Sequence, residues 1–313
     1  MKRPVRARRR RHGPGPGLRI ALVTVLLLAV GAAVLLSNPR HRAFYFGASG
    51  NTFSTAPTFA LPTPGGFGRT AAAPALATAA RVVSAALPAV RVPVPDAEGR
   101  VRVPVVDLVP SHLPSSGTPL GWEVKEFSGD ASIELVRNEG RVALRLRSEH
   151  SSFALHRDVV LDVRQYSMLA WSWKVLKLPA GGDVRDPSRN DQAAQVYVIF
   201  PRWPAPQTAS DVVGYVWDSQ APVGTTLTHP KLPNVRIIVV ESGSAKLDAW
   251  QRHVRNVAAD YQALFGRQPP RMGKVALMID TDDTRGEAEA LFGDLTFFRP
   301  GVASMEIPIT MLR

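Results

Sequence analysis

Gly140-Arg141-Val142-Ala143-Leu144-Arg145-Leu146-Arg147 is the stretch on which the reading of this chain turns. Val142, Leu144 and Leu146 fall on one side of an extended segment and the three arginines on the other, the period of two that marks a half-buried antiparallel strand. Met168-Leu169-Ala170-Trp171-Ser172-Trp173-Lys174-Val175 repeats the pattern, with Leu169, Trp171, Trp173 and Val175 sharing one face. Outward from these two, further strands are expected at 152–156, 193–200, 212–217, 235–240, 274–279 and 294–298. Eight or more short strands with turn residues between them predict a mostly β fold, a jelly-roll-like antiparallel β-sandwich over 105–300. One segment has a different period. In 247–265, Leu247, Trp250, Val254, Val257, Tyr261, Leu264 and Phe265 recur at helical spacing, and Gly266 then supplies a stop before Pro269-Pro270. This predicts one amphipathic helix packed on the sandwich.

Upstream of the domain the composition changes twice. Of the 313 residues, the first 95 hold 13 Lys or Arg and no acid, whereas the remainder holds 25 basic and 26 acidic residues. The formal charge of +12 therefore belongs to the N-terminal end, and the domain itself is neutral. Residues 20–36 are 17 in number, carry no charge and are interrupted only by Thr24 and Gly31. At 1.5 Å per residue, about 17 to 20 such residues cross a hydrocarbon core of roughly 30 Å. The sequence thus predicts a basic cytoplasmic tail at 1–17 and a single transmembrane signal anchor at 18–37. The arginines at 6 and 8–11 keep the N-terminus inside, and the domain lies in the periplasm or outside the cell, held at the inner membrane. A cleaved signal is the rival reading, but the apolar run is long for one and Asn38-Pro39-Arg40-His41-Arg42 offers no small-x-small site. The basic block is accounted for as a topology signal, so no nucleic-acid partner is expected.

Residues 38–104 are rich in Ala, Pro, Gly and Thr, as in Leu61-Pro62-Thr63-Pro64-Gly65-Gly66, and read as a linker. Sixty such residues span about 45 Å, enough to hold a domain clear of a bilayer. Residues 301–313 read as a C-terminal tail. Zero Cys excludes disulfides, Cys-based zinc sites and thiol catalysis together.

Chemistry-bearing motifs are few. The seven histidines show no His-Glu-x-x-His spacing, and no Gly-x-Ser-x-Gly elbow, Walker loop or Gly-x-Gly-x-x-Gly is present. Met278-Ile279-Asp280-Thr281-Asp282-Asp283-Thr284 has the Asp-x-Asp-x-Thr form of a haloacid-dehalogenase-type phosphatase loop. That loop opens a Rossmann-like core, however, and only 29 residues follow Thr284. Two readings stay open for it. It is a polar turn in which Asp283 or Thr284 caps a short helix at 285–291, or a calcium site built from Asp280, Asp282 and Asp283, since clustered hard oxygens suit that ion. A second polar cluster, 181–191, presents Asp183, Arg185 and Asp191, which fit sugar hydroxyls as a ligand loop or pair locally as a solvated hairpin. Among the six tryptophans, Trp171, Trp173 and Trp250 sit at buried spacing, and Trp203, between Pro201 and Pro206, is the candidate for stacking on a sugar.

Several ordered strings carry a family resemblance: Trp171-Ser172-Trp173-Lys174-Val175 with Leu178-Pro179 and Gly182-Asp183, then Val196-Tyr197-Val198-Ile199-Phe200, Tyr215-Val216-Trp217, Arg255-Asn256-Val257, Asp260-Tyr261, Ile279 to Thr284 and Phe292-Gly293-Asp294-Leu295-Thr296-Phe297. They resemble the bacterial family named domain of unknown function 3047 over about 120–298. The resemblance implies an exported jelly roll of the galactose-binding or carbohydrate-binding-module type and implies no activity. After Asp191 the chain departs from the expected pattern, with Gln192 and Gln195 where a second acid and an arginine are anticipated. The expectation for function is a membrane-tethered, non-catalytic binder of a carbohydrate or cell-envelope polymer through Asp183, Arg185, Asp191 and Trp203. The alternative is a glycan-acting hydrolase using Asp183, Asp191, Asp280 and Asp282.

Overall fold

The computed structural model describes residues 93–202 and 209–302. In chain order these form β1 (Arg100–Val103), β2 (Ser115–Ser116), β3 (Glu123–Ser128), β4 (Ser132–Asn138), β5 (Arg141–Glu149), β6 (Ser152–Leu161), β7 (Met168–Lys177), β8 (Ala194–Phe200), β9 (Asp211–Asp218), β10 (Thr226–Thr228), β11 (Val235–Ser242), β12 (Gln251–Asn256), helix α1 (Val257–Phe265), β13 (Met272–Asp280), β14 (Glu287–Phe292) and β15 (Leu295–Phe298). The strands make two sheets. One is seven-stranded in the order β10-β11-β9-β8-β13-β6-β3. The other, eight-stranded, runs β1-β15-β7-β14-β5-β4-β2, with β12 added to β7. In this second sheet β14 and β15 act as one interrupted strand alongside β7, broken at Gly293, where an added Cβ would sit 2.6 Å from Ser172 Oγ.

The inward faces form the core, in which Trp173, Trp217, Tyr215, Phe153, Phe292 and Phe297 are wholly buried. The alternation read in 141–147 and 168–175 holds: Leu144, Leu146, Leu169, Trp173 and Val175 have no exposed surface. On the other face of the eight-stranded sheet, Arg145 and Arg147 lie among Glu134 and Glu289. Burying one large aromatic side chain removes some 150–250 Å² from water, so these rows supply most of the drive to stack the sheets.

Four expectations are corrected. The helix at 247–265 is confined to Val257–Phe265, and Gln251–Asn256 is instead strand β12, paired with β7. The side chains that alternate inward on β12 are Gln251, His253 and Arg255, and Asn256 accepts from the N–H of Ala259 to start the helix only there. The short helix at 285–291 is strand β14. Its helix-favouring Glu-Ala-Glu-Ala sequence is overridden by pairing with β5, which sets Glu289 opposite Arg147. The sandwich is not wholly antiparallel, since β11 runs parallel to β9. Finally, paired structure begins before 105: β1 pairs with β15 and buries Val101 and Val103 within the stretch read as linker. The basic tail, the anchor at 18–37, most of the linker and residues 303–313 of the tail lie outside the described residues. Among the described residues no helix is long and apolar enough to cross a membrane.

Candidate functional site

Strand β13 alternates Val275, Leu277 and Ile279 into the core, so Lys274, Ala276, Met278 and Asp280 lie on the outward face of the seven-stranded sheet. At its end the chain turns through Thr281-Asp282-Asp283-Thr284. Thr281 is fully buried and anchors the turn, its hydroxyl within 2.7 Å of Ser148 Oγ and its N–H donating to Ser151 O at 2.9 Å.

The loop leading into β8 comes alongside. Asp280 N–H donates to the Gln192 carbonyl at 3.1 Å. Within this loop Gly182 is required, because a Cβ there would stand 2.4 Å from the Asp191 carbonyl oxygen. Asp191, with no exposed surface, turns its carboxylate onto the β13 turn and accepts from Asp283 N–H at 3.2 Å, Thr284 N–H at 2.6 Å and the Thr284 hydroxyl at 2.5 Å. These two backbone N–H groups are thus satisfied by a carboxylate 92 and 93 residues away in sequence.

Carboxylate oxygens of Asp191, Asp282 and Asp283 lie within 4.8 Å of one another. Asp280 adjoins them, and burial together with the charges of Asp282 and Asp191 pushes its pKa up to about 9, so it holds its proton at neutral pH. Among the described residues Lys231 faces the group: its Nζ donates to both Asp283 oxygens, at 2.8 and 2.7 Å, and this hydrogen bond raises its pKa. Beside it His229 lies 2.9 Å from the Asn190 amide, and burial lowers its pKa. Gln192 and Gln195, which stand where a second acid and an arginine were anticipated, are both buried. Gln192 donates to Asn190 at 3.3 Å, and Gln195 accepts the Tyr197 hydroxyl at 2.5 Å. The arrangement offers hard oxygen ligands on a fixed turn and, in Asp280, a carboxyl able to donate.

Of the residues singled out from sequence, the fold brings Asp191, Asp280, Asp282 and Asp283 together. Asp183 and Arg185 are placed differently. Asp183 is buried and held by its own neighbour, accepting from Arg185 N–H at 3.0 Å and from Arg185 Nε at 2.8 Å, and this pairing lowers its pKa. Their turn packs against Asp218, which accepts from Val184 N–H at 2.8 Å. Trp203 lies outside the described residues. Trp171 and Trp173 are core, and Trp250 is half-buried beneath Arg141, its Nε1–H donating to Asn138 at 3.0 Å. Lys231 and His229 were not distinguishable in the sequence: neither lies in a motif, and only the meeting of separate segments gives them a place.

The family model described as "Protein of unknown function (DUF3047)" matches residues 120–296, more than half of the chain and every residue of the cluster. The chain belongs to this family. No curated protein matches this DUF3047 member. Solved structures to which it is similar include the Endo-D glycoside hydrolase domain of Streptococcus pneumoniae R6, at 10% identity and TM-score 0.31, with 59% of this chain and 22% of that one covered. The chain therefore spans about a fifth of that structure. A xyloglucanase domain of NopAA from Sinorhizobium fredii, in complex with cellobiose, is similar at 9% identity and TM-score 0.34 over 61% of this chain and all of the other. The family 30 carbohydrate-binding module of a Clostridium thermocellum cellulase is similar at 13% identity and TM-score 0.33, covering 64% and 98%.

Proposed function

We propose that this DUF3047 protein binds a carbohydrate or another hydroxyl-rich cell-envelope polymer at the β13 turn, with a divalent cation, calcium by preference, seated among Asp191, Asp282 and Asp283. The observation that carries this reading is the clustering of three carboxylate oxygens within 4.8 Å on a turn locked by Asp191. Four carboxyl groups face one lysine there, and a cation relieves the remaining repulsion. Calcium takes six to eight oxygen ligands, so three carboxylates leave positions for water or ligand hydroxyls. Residues 18–37 serve in this reading as a membrane anchor and the linker as a spacer, with the domain outside the inner membrane.

Calorimetric titration of the chelator-treated protein with CaCl₂ tests the cation. A single site that disappears in Asp282→Asn is expected, and heats no different from buffer refute it. Glycan-array binding with and without calcium tests the ligand, and cell fractionation with external protease tests the placement. A second reading, glycan hydrolysis, is supported by Asp280, a buried carboxyl beside Asp282 that keeps its proton and so has the character of a general acid. Release of reducing ends by the native protein, abolished in Asp280→Asn without loss of melting temperature, would establish turnover.

A further inference from the structure

We propose that the end of the sandwich at which the chain enters docks through its arginines onto the anionic phospholipid headgroups of the bilayer. This rests on the membrane placement proposed above and adds which end of the domain meets the bilayer.

The topology sorts the domain into two ends. Asp280, at the close of β13, lies opposite Ser152, whereas Met272, at its start, lies opposite Leu161, about 25 Å away at about 3.3 Å per residue. The end of β8 and the starts of β9 and β11 gather at the Met272 end, where α1 joins them through the Tyr261 hydroxyl, which donates to Asp211. Strand β1 begins there too, since Arg100 pairs with Phe298 and Phe298 with Met168 at the start of β7. The chain therefore enters the domain at the end remote from the carboxylate cluster.

Charge is sorted the same way. At the entry end Arg164 pairs with Asp162, Arg202 and Arg267 share Asp211, Arg255 pairs with Asp260, and Lys274 with Asp158. Around Asp162 and Asp211 the acid lies beneath. Arg164, Arg202 and Arg267 keep 58%, 47% and 44% of their side-chain surface exposed, against 14% for Asp162 and 3% for Asp211. Arg236 and Arg267 stack on Phe265 at the C-terminal end of α1, whose partial negative charge they cover. Arg299 stacks on Tyr166, and Arg271, beside Met272, is exposed. Asp96, Glu98 and Arg100 complete this end at the point of entry. It thus carries nine basic and six acidic side chains, a net +3, while the other described residues hold 15 basic and 19 acidic, a net −4. An anionic surface draws in the first and repels the second, which selects one orientation. A guanidinium has five donors, so an arginine already bound to a carboxylate keeps others for phosphate oxygens. A basic residue beside an anionic leaflet strengthens binding about fivefold, and a linker holds its domain at high local concentration, so a net +3 is enough to bias it. Docked in this way, the domain presents the β13 turn about 25 Å farther out, toward the envelope.

The chain has no cysteine, so a single introduced one reports position without interference. The full chain carries a fluorophore at Gln268→Cys, on the arginine end, or at Asp130→Cys, next to Gly129, which packs on Ser151 at the other end. It is placed in nanodiscs of phosphatidylcholine alone or with about one third phosphatidylglycerol, and energy transfer to a headgroup-labelled lipid is read. In the anionic discs we expect more transfer from the Gln268→Cys label than from the Asp130→Cys label. That difference should at least halve in about 0.5 M NaCl and in the double variant Arg271→Glu with Arg299→Glu. Equal transfer from the two positions, or a difference indifferent to phosphatidylglycerol and to salt, overturns the docking. Should the double variant fail to fold, lipid composition and salt still decide. Flotation of the full chain separates this inference from the anchor reading. A chain that does not float with phosphatidylcholine vesicles lacks the anchor. Flotation with phosphatidylglycerol vesicles that the double variant weakens about tenfold or more then still supports the arginine end, because the basic tail at 1–17 is unchanged. Flotation with neither vesicle overturns the anchor and the docking together.

Discussion

Replacing Asp191 by alanine is expected to be among the most damaging single polar changes in the domain. The side chain is fully buried and accepts from two backbone N–H groups and one hydroxyl, all in the 283–284 turn. Truncation leaves both N–H groups without a partner, at about 1–3 kcal/mol each, while the Thr284 hydroxyl is free to rotate elsewhere. The sum is about 4 kcal/mol. Some repulsion with the neighbouring acids is relieved, but not that with Asp280, which is already neutral at pH 7, so the offset is about 1 kcal/mol. A net loss of about 3 kcal/mol lowers the melting temperature by about 6–12 °C for a domain of this size. Urea unfolding followed by tryptophan fluorescence measures it, and Asp191→Asn, which keeps one acceptor oxygen, should lose about half as much. Hydrogen exchange at Thr284 N–H should accelerate in parallel. A loss below about 1 kcal/mol for the alanine variant, with Thr284 still protected, would refute the view that this carboxylate holds the turn.

The remaining expectations concern backbone, pH and core. Gly182→Ala forces a methyl into the Asp191 carbonyl and should cost about 1–3 kcal/mol and weaken calcium binding, read by unfolding and calorimetry on the same variant. Burial lowers the His253 pKa to about 4, so the unfolded chain takes up a proton near pH 6.5 that the folded state refuses. Stability should therefore fall as pH drops from about 6.5 to 4, by about 3 kcal/mol in total, and His253→Phe should flatten that part of the profile. Trp173→Ala removes a wholly buried indole packed on Trp171 and Phe292 and should cost about 3–5 kcal/mol by chemical denaturation.

The sandwich was legible wherever one face of a strand is apolar and the other charged, as in 141–147, because that pattern permits one packing only. It was illegible at β12, whose inward side chains are glutamine, histidine and arginine. His253 is accommodated by stacking on Trp171 at 5.3 Å and Arg255 by pairing with Asp260, partners that no local pattern announces. Strand β14 was hidden for the converse reason, since glutamate and alanine favour a helix until Arg145, Arg147 and Lys177 stand opposite. In the candidate site the Asp280–Asp283 run stood out as polar residues ending an apolar strand. What joins it to Asp191 and Lys231 is tertiary. The Asp183–Arg185 pair, equally prominent in sequence, closes on itself within two residues.

The parallel pairing of β9 with β11 has a consequence for how this cluster is assembled. Two parallel neighbours cannot be joined by a tight hairpin, so the chain must make an excursion, 219–234, before it can re-enter the sheet. That excursion places Ala221 over the second small core and delivers His229 and Lys231 to the carboxylates. The cationic side of the site therefore sits on an excursion that topology makes obligatory and that the sandwich holds at Ala221 and β10. The acidic side is built into strand ends and buried turns. Side chains such as Lys231 can therefore be exchanged on that segment while the frame that holds the acids stays intact.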